Sequence, residues 1–275
     1  MYRKVYVEIT NICNMKCSFC HGTGREPRRM SLEEFRLILG KLKPHTEYIY
    51  YHLMGEPLTH PELGVFLQTA TEMGFKSIIT TNGTLLKQKG QVLIDQKVHK
   101  VSVSLHSFEG GDIAAHKRYL LDVADFAKTA QENGIIVVLR LWNNGCDGGK
   151  NAEAIDFLKS EIEGVWVENS KGLRIRDRLF LEYGDRFQWP DKEADIQGDS
   201  VFCYGLRDHF GILSDGTVVP CCLDSDGQIN LGNIFKRGIE DILSSDRATA
   251  IVKGFDGRSP AEELCRRCGY AQRFK

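Results

Sequence analysis

Three cysteines near the amino terminus have a spacing that suits metal chemistry. Cys13, Cys17 and Cys20 follow a short apolar run, with three residues between the first two thiols and two between the last two. Closely spaced thiolates hold iron–sulfur clusters, and three of them fit around one face of a four-iron cube. The fourth iron would then have no cysteine and would be open to another ligand. The alternative is a zinc site with His21 as its fourth ligand.

Five more cysteines lie in the last part of the chain and predict a second metal site. They are Cys203, Cys221, Cys222, Cys265 and Cys268. A hairpin would bring the first two together, and the terminal pair is spaced for chelation, which suits either an iron–sulfur cluster or an all-thiolate structural zinc. Because side chains alternate along a strand, we expect Cys222 to point away from Cys221 and to be a small buried hydrophobic residue.

The segments that must position these cysteines alternate between strand and helix in the first half of the chain. Short apolar, β-branched or aromatic runs predict strands at residues 4–9, 48–53, 76–80, 100–105 and 135–141, with 165–168 as a candidate for a sixth. Helical patterns predict helices at residues 32–43, 61–73, 85–96, 112–132 and 151–163. A Ser31–Glu34 capping box opens the first helix, and Gly90 is expected to interrupt the third. This alternation predicts a parallel sheet whose reactive residues lie at the carboxyl ends of the strands.

The second half of the chain has a different pattern. Residues 173–182 alternate charged and apolar side chains, which predicts an exposed strand or hairpin, and residues 190–199 are polar and acidic, which is typical of a linker. Asp215-Gly216 between two apolar runs predicts a further hairpin, followed by short amphipathic helices. We therefore expect a core at 1–170, a linker and hairpin at 171–200, and a small cysteine-rich domain at 201–275.

The stretch EITNICNMKCSFC, which ends at Cys20, resembles the signature loop of the radical S-adenosylmethionine (SAM) enzymes. In that family the iron without a cysteine binds the amino and carboxylate groups of SAM, and the reduced cluster cleaves SAM to a 5′-deoxyadenosyl radical. The resemblance covers roughly residues 1–168 and implies an α/β fold with a partial (β/α)6 barrel. It also implies that the aromatic residue Phe19 lies near the adenine of SAM.

Further motifs follow in the order that the family shows. MGEP, ending at Pro57, resembles the glycine–glutamate motif that meets the SAM amino group, with methionine replacing the first glycine. TTNG, ending at Gly83, resembles the common ending of the third strand. The resemblance places Ser102 or Ser104 at the ribose hydroxyls and Arg140 at the SAM carboxylate. The implied contacts with SAM, besides Phe19, are Gly55, Glu56, Pro57, Asn82, Ser102, Ser104 and Arg140.

The carboxy-terminal cysteines resemble the auxiliary-cluster module called twitch, a shortened form of the SPASM domain. Pro220 precedes Cys221 as in the family motif, and the CRRC pair closes the module. The resemblance implies that Cys203, Cys221, Cys265 and Cys268 hold one additional [4Fe–4S] cluster. It also implies that this unit is a small domain built from a β-hairpin and helices. A full SPASM domain would need further cysteines for two clusters.

Composition excludes several classes of protein. The 275 residues include 42% hydrophobic and 27% charged residues, which is enough for a sizeable core and argues against disorder. A net charge of -1 argues against a general nucleic-acid binder. We find no apolar run long enough to cross a membrane and no secretory signal, so we expect a cytoplasmic protein. In a reducing compartment, nine cysteines indicate metal ligands rather than disulfides.

These features together predict an enzyme with two clusters that removes a hydrogen atom from its substrate. We expect a net oxidation, with the auxiliary cluster as electron acceptor, because the layout is similar to an alcohol-oxidising dehydrogenase of aminoglycoside biosynthesis. The expected partners are a reductant such as flavodoxin or ferredoxin and a small-molecule or peptide substrate. A peptide-modifying maturase is the alternative, although the chain begins at its first strand and leaves no room for a leader-binding domain. A non-catalytic electron-transfer protein and a metal-stabilised binding module are the alternatives from other classes.

Residues for the remaining chemistry are harder to select from sequence. Candidate catalytic residues are His52, His106 and Cys146. Alcohol oxidation needs a base, which suits histidine, and Cys146 stands in a loop near the barrel mouth where it could touch substrate or donate a hydrogen atom. A core histidine and an incidental loop cysteine are the commoner roles. The arginines after the cysteine loop, Arg25, Arg28 and Arg29, either clamp an anionic substrate or, as we prefer, lie in a solvated loop.

Overall fold

The computed structural model of the protein describes residues 1–108, 112–198 and 200–274. The strands are β1 (Lys4–Val7), β2 (Tyr48–Tyr50), β3 (Lys76–Thr81), β4 (Lys100–Ser104), β5 (Ile136–Asn144), β6 (Val167–Asn169), β7 (Gly172–Arg176), β8 (Leu179–Asp185), β9 (His209–Ile212), β10 (Thr217–Val219) and β11 (Gly232–Asn233). The helices are α1 (Leu32–Leu42), α2 (Leu63–Glu72), α3 (Leu86–Asp95), α4 (Ile113–Glu132), α5 (Lys150–Glu161), α6 (Ile239–Leu243), α7 (Asp246–Asp256) and α8 (Glu263–Arg266). The predicted linker at 190–199 ends on residue 199, which lies outside the described residues.

One continuous sheet runs through the described part of the molecule. Its strand order is β11–β10–β9–β1–β2–β3–β4–β5–β8–β7–β6. The strands from β9 to β8 in this order are parallel to their neighbours, and the outer strands on both sides are antiparallel. Helices separate β1 to β5 along the chain. The expected partial (β/α)6 arrangement is therefore confirmed, with β1, β2, β3, β4, β5 and β8 as its six parallel strands.

Local sequence explains where the helices begin. Ser31 accepts a hydrogen bond from the Glu34 backbone while the Glu34 carboxylate accepts one from the Ser31 backbone, so the predicted capping box opens α1. Asp112 caps α4 by accepting from the backbone of Ala115 at 2.7 Å. These caps fix the ends of helices that pack their apolar faces on the sheet and bury residues such as Phe35.

Two predictions about the elements need correction. The candidate sixth strand at 165–168 forms as β6 (Val167–Asn169), but the β7–β8 hairpin places β8 beside β5 and β6 at the outer edge, so β8 completes the six parallel strands of the barrel. Gly90 does not interrupt α3, which is continuous from Leu86 to Asp95. A Cβ atom on Gly90 would lie 2.7 Å from the Phe126 ring, so glycine is needed there for the close approach of α4.

The carboxy-terminal hairpin extends the sheet of the core. Strand β9 runs parallel to β1 in the register Lys4 to His209 and Val7 to Ile212, and β10 returns antiparallel to β9. The division of the chain into 1–170, 171–200 and 201–275 stays a prediction. The pairing of β9 with β1 brings the carboxy-terminal cysteines next to the first strand of the barrel.

Candidate functional site

The three amino-terminal cysteines lie in the long connection between β1 and α1, at the carboxyl end of the first strand. The Cys20 N–H donates to the Cys17 carbonyl at 3.1 Å, which closes a tight turn between the last two thiols. The Cys13 thiol accepts from the Met15 N–H at 3.4 Å and from the Asn82 side chain at 3.9 Å. Burial raises the pKa of Cys13, and the nearby charges of Glu56 and Cys20 raise it further. The loop therefore brings these thiols together, and a bound cation would favour their thiolate forms.

A buried carboxylate fixes this loop to two neighbouring loops. Glu8 is fully buried and accepts from Arg25 Nη2 at 2.7 Å, from the Met54 N–H at 3.1 Å and from the Ser214 N–H at 3.1 Å. These contacts join the ends of β1, β2 and β9. Sequence reasoning missed Glu8 as a functional residue, although an acidic residue within the predicted apolar strand at 4–9 was a visible signal.

The arginines of the loop have structural roles, which neither of the two sequence interpretations anticipated. Arg25 binds Glu8, and Arg28 donates to Glu34 at 2.5 Å. Arg28 also donates to the Ser214 carbonyl. The solvated-loop interpretation is therefore wrong for Arg25 and Arg28, while Arg29 is exposed. Their guanidinium groups hold the cysteine loop against α1 and the carboxy-terminal hairpin.

A cavity of about 720 Å³ opens beside the three cysteines. It collects much of the predicted SAM site at the ends of four parallel strands. The predicted residues that line it are Cys13, Cys17, Phe19, Cys20, His52, Gly55, Glu56, Asn82 and Ser104. Of the remaining SAM candidates, Pro57 is buried at the start of a short 3-10 helix, and Ser102 and Arg140 are not among the residues lining the cavity.

Gly55 and Glu56 shape the floor of the cavity. Gly55 has a φ of +76°, and a Cβ atom there would lie 2.4 Å from the Thr10 carbonyl oxygen, so the loop after β2 can approach the cysteine loop only with glycine. The Glu56 carboxylate accepts from the Leu58 N–H at 3.0 Å and from the Asn82 N–H at 2.6 Å. Burial raises the pKa of Glu56 to about 7. A cationic amino group in the cavity would favour the ionised form of this carboxylate.

Phe19 stands between the cysteine loop and a neighbouring cavity. Its ring centroid is 4.8 Å from the His106 ring, and its carbonyl accepts from Trp189 Nε1 at 2.9 Å. His106 Nδ1 lies 3.1 Å from the Arg140 carbonyl oxygen, so the imidazole is held by the backbone of β5. The neighbouring cavity, of about 440 Å³, is lined by both His106 and the exposed Cys146. Trp189, which directly precedes the predicted linker at 190–199, was missed by sequence reasoning.

The four cysteines predicted for the second site converge, and Cys222, which was expected to point away from Cys221, lines the same cavity. Cys203, Cys221, Cys222, Cys265 and Cys268 all line one cavity of about 180 Å³. Burial raises the pKa of Cys221, and the charges of the other four thiols raise it further; burial also raises the pKa of Cys268 to about 11. Buried thiols in such mutual contact need a metal to hold them as thiolates. All nine cysteines are among the described residues, and no disulfide bond joins any two of them.

Cys222 lies in the same cavity as the four predicted ligands, but its thiol is within hydrogen-bonding reach of the Tyr6 hydroxyl. Burial raises the pKa of both groups. Cys222 is therefore a lining residue with a polar partner, and not only a small hydrophobic residue. Tyr6 projects from β1, and its ring centroid is 5.5 Å from that of His52, which lines the amino-terminal cavity. Tyr6 and His52 thus form a thin wall between the two cysteine sites.

Comparison with known sequence families identifies the class of protein. The family described as Radical SAM superfamily matches residues 7–144, and SPASM, described as an iron-sulfur cluster-binding domain, matches residues 203–269. The chain therefore belongs to the radical SAM superfamily and carries a SPASM domain, so SAM and [4Fe–4S] clusters are its cofactors. The expected zinc alternatives are not supported.

Several curated relatives match over most of their length. The chain is 32% identical over 272 residues to the probable GTP 3′,8-cyclase of Methanocaldococcus jannaschii, covering 86% of this chain and 90% of that protein. It is 24% identical over 273 residues to the probable GTP 3′,8-cyclase of Methanococcus maripaludis strain C6, covering 87% of this chain and 91% of the relative.

Solved structures share the fold. BtrN in complex with AdoMet and 2-DOIA has a TM-score of 0.60 at 19% identity, covering 98% of this chain and 93% of that chain. Streptococcus suis SuiB bound to S-adenosylmethionine has a TM-score of 0.63 at 19% identity, covering 98% of this chain and 72% of the other. The anSMEcpe structure with AdoMet and the Kp18Cys peptide has a TM-score of 0.65 at 14% identity, covering 97% and 88%. At these identities the likeness shows the fold.

The two cysteine sites fit the two kinds of cluster that these domains hold. Cys13, Cys17 and Cys20 supply three thiols beside a cavity large enough for a nucleotide, whereas the second set supplies at least four thiols around a small enclosed space. Within the described ranges, no three Cys, His, Asp or Glu side chains are close enough together to bind a single metal ion, so the thiols of both sites are spaced more widely than a one-metal site requires. No helix there combines the length and apolar character needed to cross a lipid bilayer.

Proposed function

We propose that this radical SAM enzyme removes a hydrogen atom from its substrate and completes a net oxidation by passing an electron to the carboxy-terminal site. When bound at the first site, the reduced cluster and SAM supply a 5′-deoxyadenosyl radical. The observation that carries the proposal is the shared wall between the two sites. Tyr6 borders the auxiliary cavity, and its ring packs edge-on against His52, which borders the amino-terminal cavity.

We assign the following roles to the residues of the two sites. We propose Cys13, Cys17 and Cys20 as ligands of the first cluster and Cys203, Cys221, Cys265 and Cys268 as ligands of the second. Phe19, Gly55, Glu56, Asn82 and Ser104 then hold SAM, because they line the same cavity as the first three cysteines. The Met54 N–H donates to Glu8, and this contact holds the loop after β2, which lines the cavity, next to the cysteine loop.

The electron balance of an alcohol oxidation agrees with this arrangement. The substrate carbon would give a hydrogen atom to the 5′-deoxyadenosyl radical, the hydroxyl would give its proton to solvent, and one electron would pass to the carboxy-terminal site as the carbonyl forms. His52 is too weakly basic for the expected role of general base. Burial, and then the charge of Arg140, lower the pKa of His52 to about 3, so it is neutral near pH 7 and suited to accept a hydrogen bond from the substrate hydroxyl. The exposed Cys146 stays a second candidate for substrate contact.

A redox-neutral cyclisation of a nucleoside triphosphate is the second candidate function. It is favoured by the 32% identity to a probable GTP 3′,8-cyclase over nearly the whole chain. Peptide modification is the third, favoured by the fold that the chain shares with the anSMEcpe structure, which holds a peptide. We further propose a flavodoxin or ferredoxin as reductant and a cytoplasmic location.

Deuterium transfer tests the proposal and separates these candidates. Reconstituted enzyme would be incubated with reductant, SAM and one candidate at a time: a deuterated amino-alcohol or sugar alcohol, deuterated GTP, or a deuterated peptide. Deuterium in 5′-deoxyadenosine together with a carbonyl product supports the oxidation. Transfer from GTP alone, or from the peptide alone, would replace it with the corresponding alternative. Cys17→Ala is the control and is expected to release no 5′-deoxyadenosine.

A further inference from the structure

Three polar side chains inside the barrel each have a buried atom without a hydrogen-bond partner. Among the described residues, His52 Nδ1, Ser102 Oγ and Arg140 Nε are in this state. Ser102 and Arg140 lie on the adjacent parallel strands β4 and β5, and His52 follows β2. Native proteins rarely leave buried polar atoms unpaired, because each has lost its water without gaining a replacement. Three unpaired polar atoms inside one barrel therefore indicate that a polar ligand binds there.

Arg140 gives this region a positive charge. Its guanidinium carbon lies 4.8 Å from the centre of the Trp142 ring, so the ring supports the flat face of the side chain. Its charge lowers the pKa of His52, after the larger effect of burial, so the two groups are close enough to interact electrostatically. Glu182 lies opposite Arg140 in the register of β5 and β8 and acts on it through its charge, but leaves the Nε atom unpaired.

Arg140 does not line the SAM cavity. Ser104, one register step across on β4, lines that cavity, whereas Arg140 and Ser102 do not. His52 connects the two regions, because it lines the cavity and is within electrostatic reach of Arg140. Because Arg140 lies opposite Ser104 in the register of β4 and β5, a molecule bound in the SAM cavity would lie one strand away from the Arg140 backbone.

We propose that Arg140, Ser102 and His52 form a subsite for an oxyanion, a carboxylate or a phosphate, on the substrate. A guanidinium offers parallel N–H donors that match the oxygens of either group, and the serine hydroxyl adds a further donor. The subsite rests on the proposed function, because it presumes that the substrate lies between SAM and the second cluster. It replaces the sequence-based assignment of Arg140 to the SAM carboxylate.

Oxyanion binding can be measured without turnover. Anaerobic holoenzyme would be titrated by calorimetry with inorganic phosphate and with malonate at constant ionic strength, with chloride as the reference anion. Trp142 fluorescence would report binding next to Arg140, with Trp142→Phe identifying its part of the signal. Saturable binding of at least one anion with a Trp142 response is expected, weakened at least tenfold in Arg140→Gln. Arg118→Gln, an exposed arginine on α4, is the matched control and is expected to bind like the parent.

Each result of the anion titration either supports the oxyanion subsite or contradicts it. Binding of phosphate alone indicates a phosphorylated substrate, and binding of malonate indicates a carboxylate. Ser102→Ala should weaken binding severalfold, which keeps the test valid if Arg140→Gln does not fold. No saturable binding by either anion, or equal binding in the folded variants, would overturn the subsite. Displacement of the anion by saturating SAM would return Arg140 to the SAM carboxylate. Because no SAM cleavage is needed, a negative result here leaves the deuterium test of the oxidation unaffected.

Discussion

Glu8 and Arg25 form an ion pair of 2.7 Å in which the carboxylate is completely buried and the guanidinium side chain is 16% exposed. The pair joins the end of the first barrel strand to the far side of the cysteine loop. Arg25 also donates to the Ser225 carbonyl at 2.8 Å, so the same side chain connects the loop to the carboxy-terminal domain. The cysteine loop is therefore held in place from both parts of the chain.

Removing the cation should cost far more than removing a surface ion pair. Arg25→Met leaves the Glu8 carboxylate buried without its charged partner, which is expected to lower the free energy of unfolding by about 3–5 kcal/mol. Lys76→Met, which breaks an exposed pair with Glu47, is the matched control and should change the free energy of unfolding far less, because both side chains are solvated. Anaerobic urea unfolding measures both, and iron analysis should show loss from the first site in Arg25→Met. Equal costs in the two variants would mean that Glu8 is solvated.

Two glycines with similar φ angles allow the cost of a left-handed backbone to be distinguished from the cost of a steric clash. Gly55 and Gly74 have φ values of +76° and +86°, but only a Cβ on Gly55 would meet another atom, the Thr10 carbonyl oxygen at 2.4 Å. Gly74→Ala should cost about 1–2 kcal/mol from the left-handed backbone alone. Gly55→Ala should cost about 1–3 kcal/mol more, because Thr10 lies in the cysteine-loop backbone that would have to move. Urea unfolding gives the two costs, and a lower iron content only in Gly55→Ala would locate the damage. Equal values would contradict a close approach of the two loops.

The sequence could predict the parts of this site that depend on local spacing. Cys13, Cys17 and Cys20 are close in the chain, so their clustering needs no knowledge of the fold. The strand ends at Gly55 and Asn82 were predictable because parallel strands present their carboxyl ends at one edge. Their convergence on the cavity beside the cysteines confirms that reasoning.

Contacts between distant segments were beyond sequence reasoning. In the sequence, Arg25 is one more polar residue of a loop. In the structure, β9 pairs with β1 and Arg25 donates to the Ser225 carbonyl. Tyr6 reads as one more aromatic on a strand, although it stands between the two cysteine sites. Sequence spacing carries no information on such contacts, because they depend on how the carboxy-terminal hairpin joins the sheet.

Iron content can distinguish the ligands of the second cluster from the additional cysteine beside them. Cys268→Ala should lose about half of the iron if each site holds one cube. Cys222→Ala should keep its iron, because the Cys222 thiol is directed to the Tyr6 hydroxyl. Iron and sulfide analysis of both anaerobically reconstituted variants measures this, with the ultraviolet–visible spectrum as a check on the remaining cluster. Loss of iron in Cys222→Ala with retention in Cys268→Ala would exchange their roles.

Acid should destabilise the protein through His52. Burial, and then the charge of Arg140, lower the pKa of His52 to about 3 from its ordinary 6.5. Between these two values the unfolded chain binds a proton that the folded protein does not, so stability is complete above about pH 6.5 and falls as the pH decreases. From pH 7.5 to pH 5.5 this contribution amounts to about 1.4 kcal/mol. His52→Gln should therefore lose about 1.4 kcal/mol less than the parent over this interval in anaerobic urea unfolding.

A second histidine with a lowered pKa, His209, provides the control for this pH effect. Burial lowers the pKa of His209 to about 4, so His209→Gln should reduce the pH dependence by a similar amount. Both histidine rings pack edge-on against Tyr6, so the double variant measures how far the two protonation equilibria are coupled. A pH dependence that is unchanged in His52→Gln but reduced in His209→Gln would show that His52 is hydrated or already paired in the folded protein. That result would also remove His52 from the polar groups that await a ligand inside the barrel.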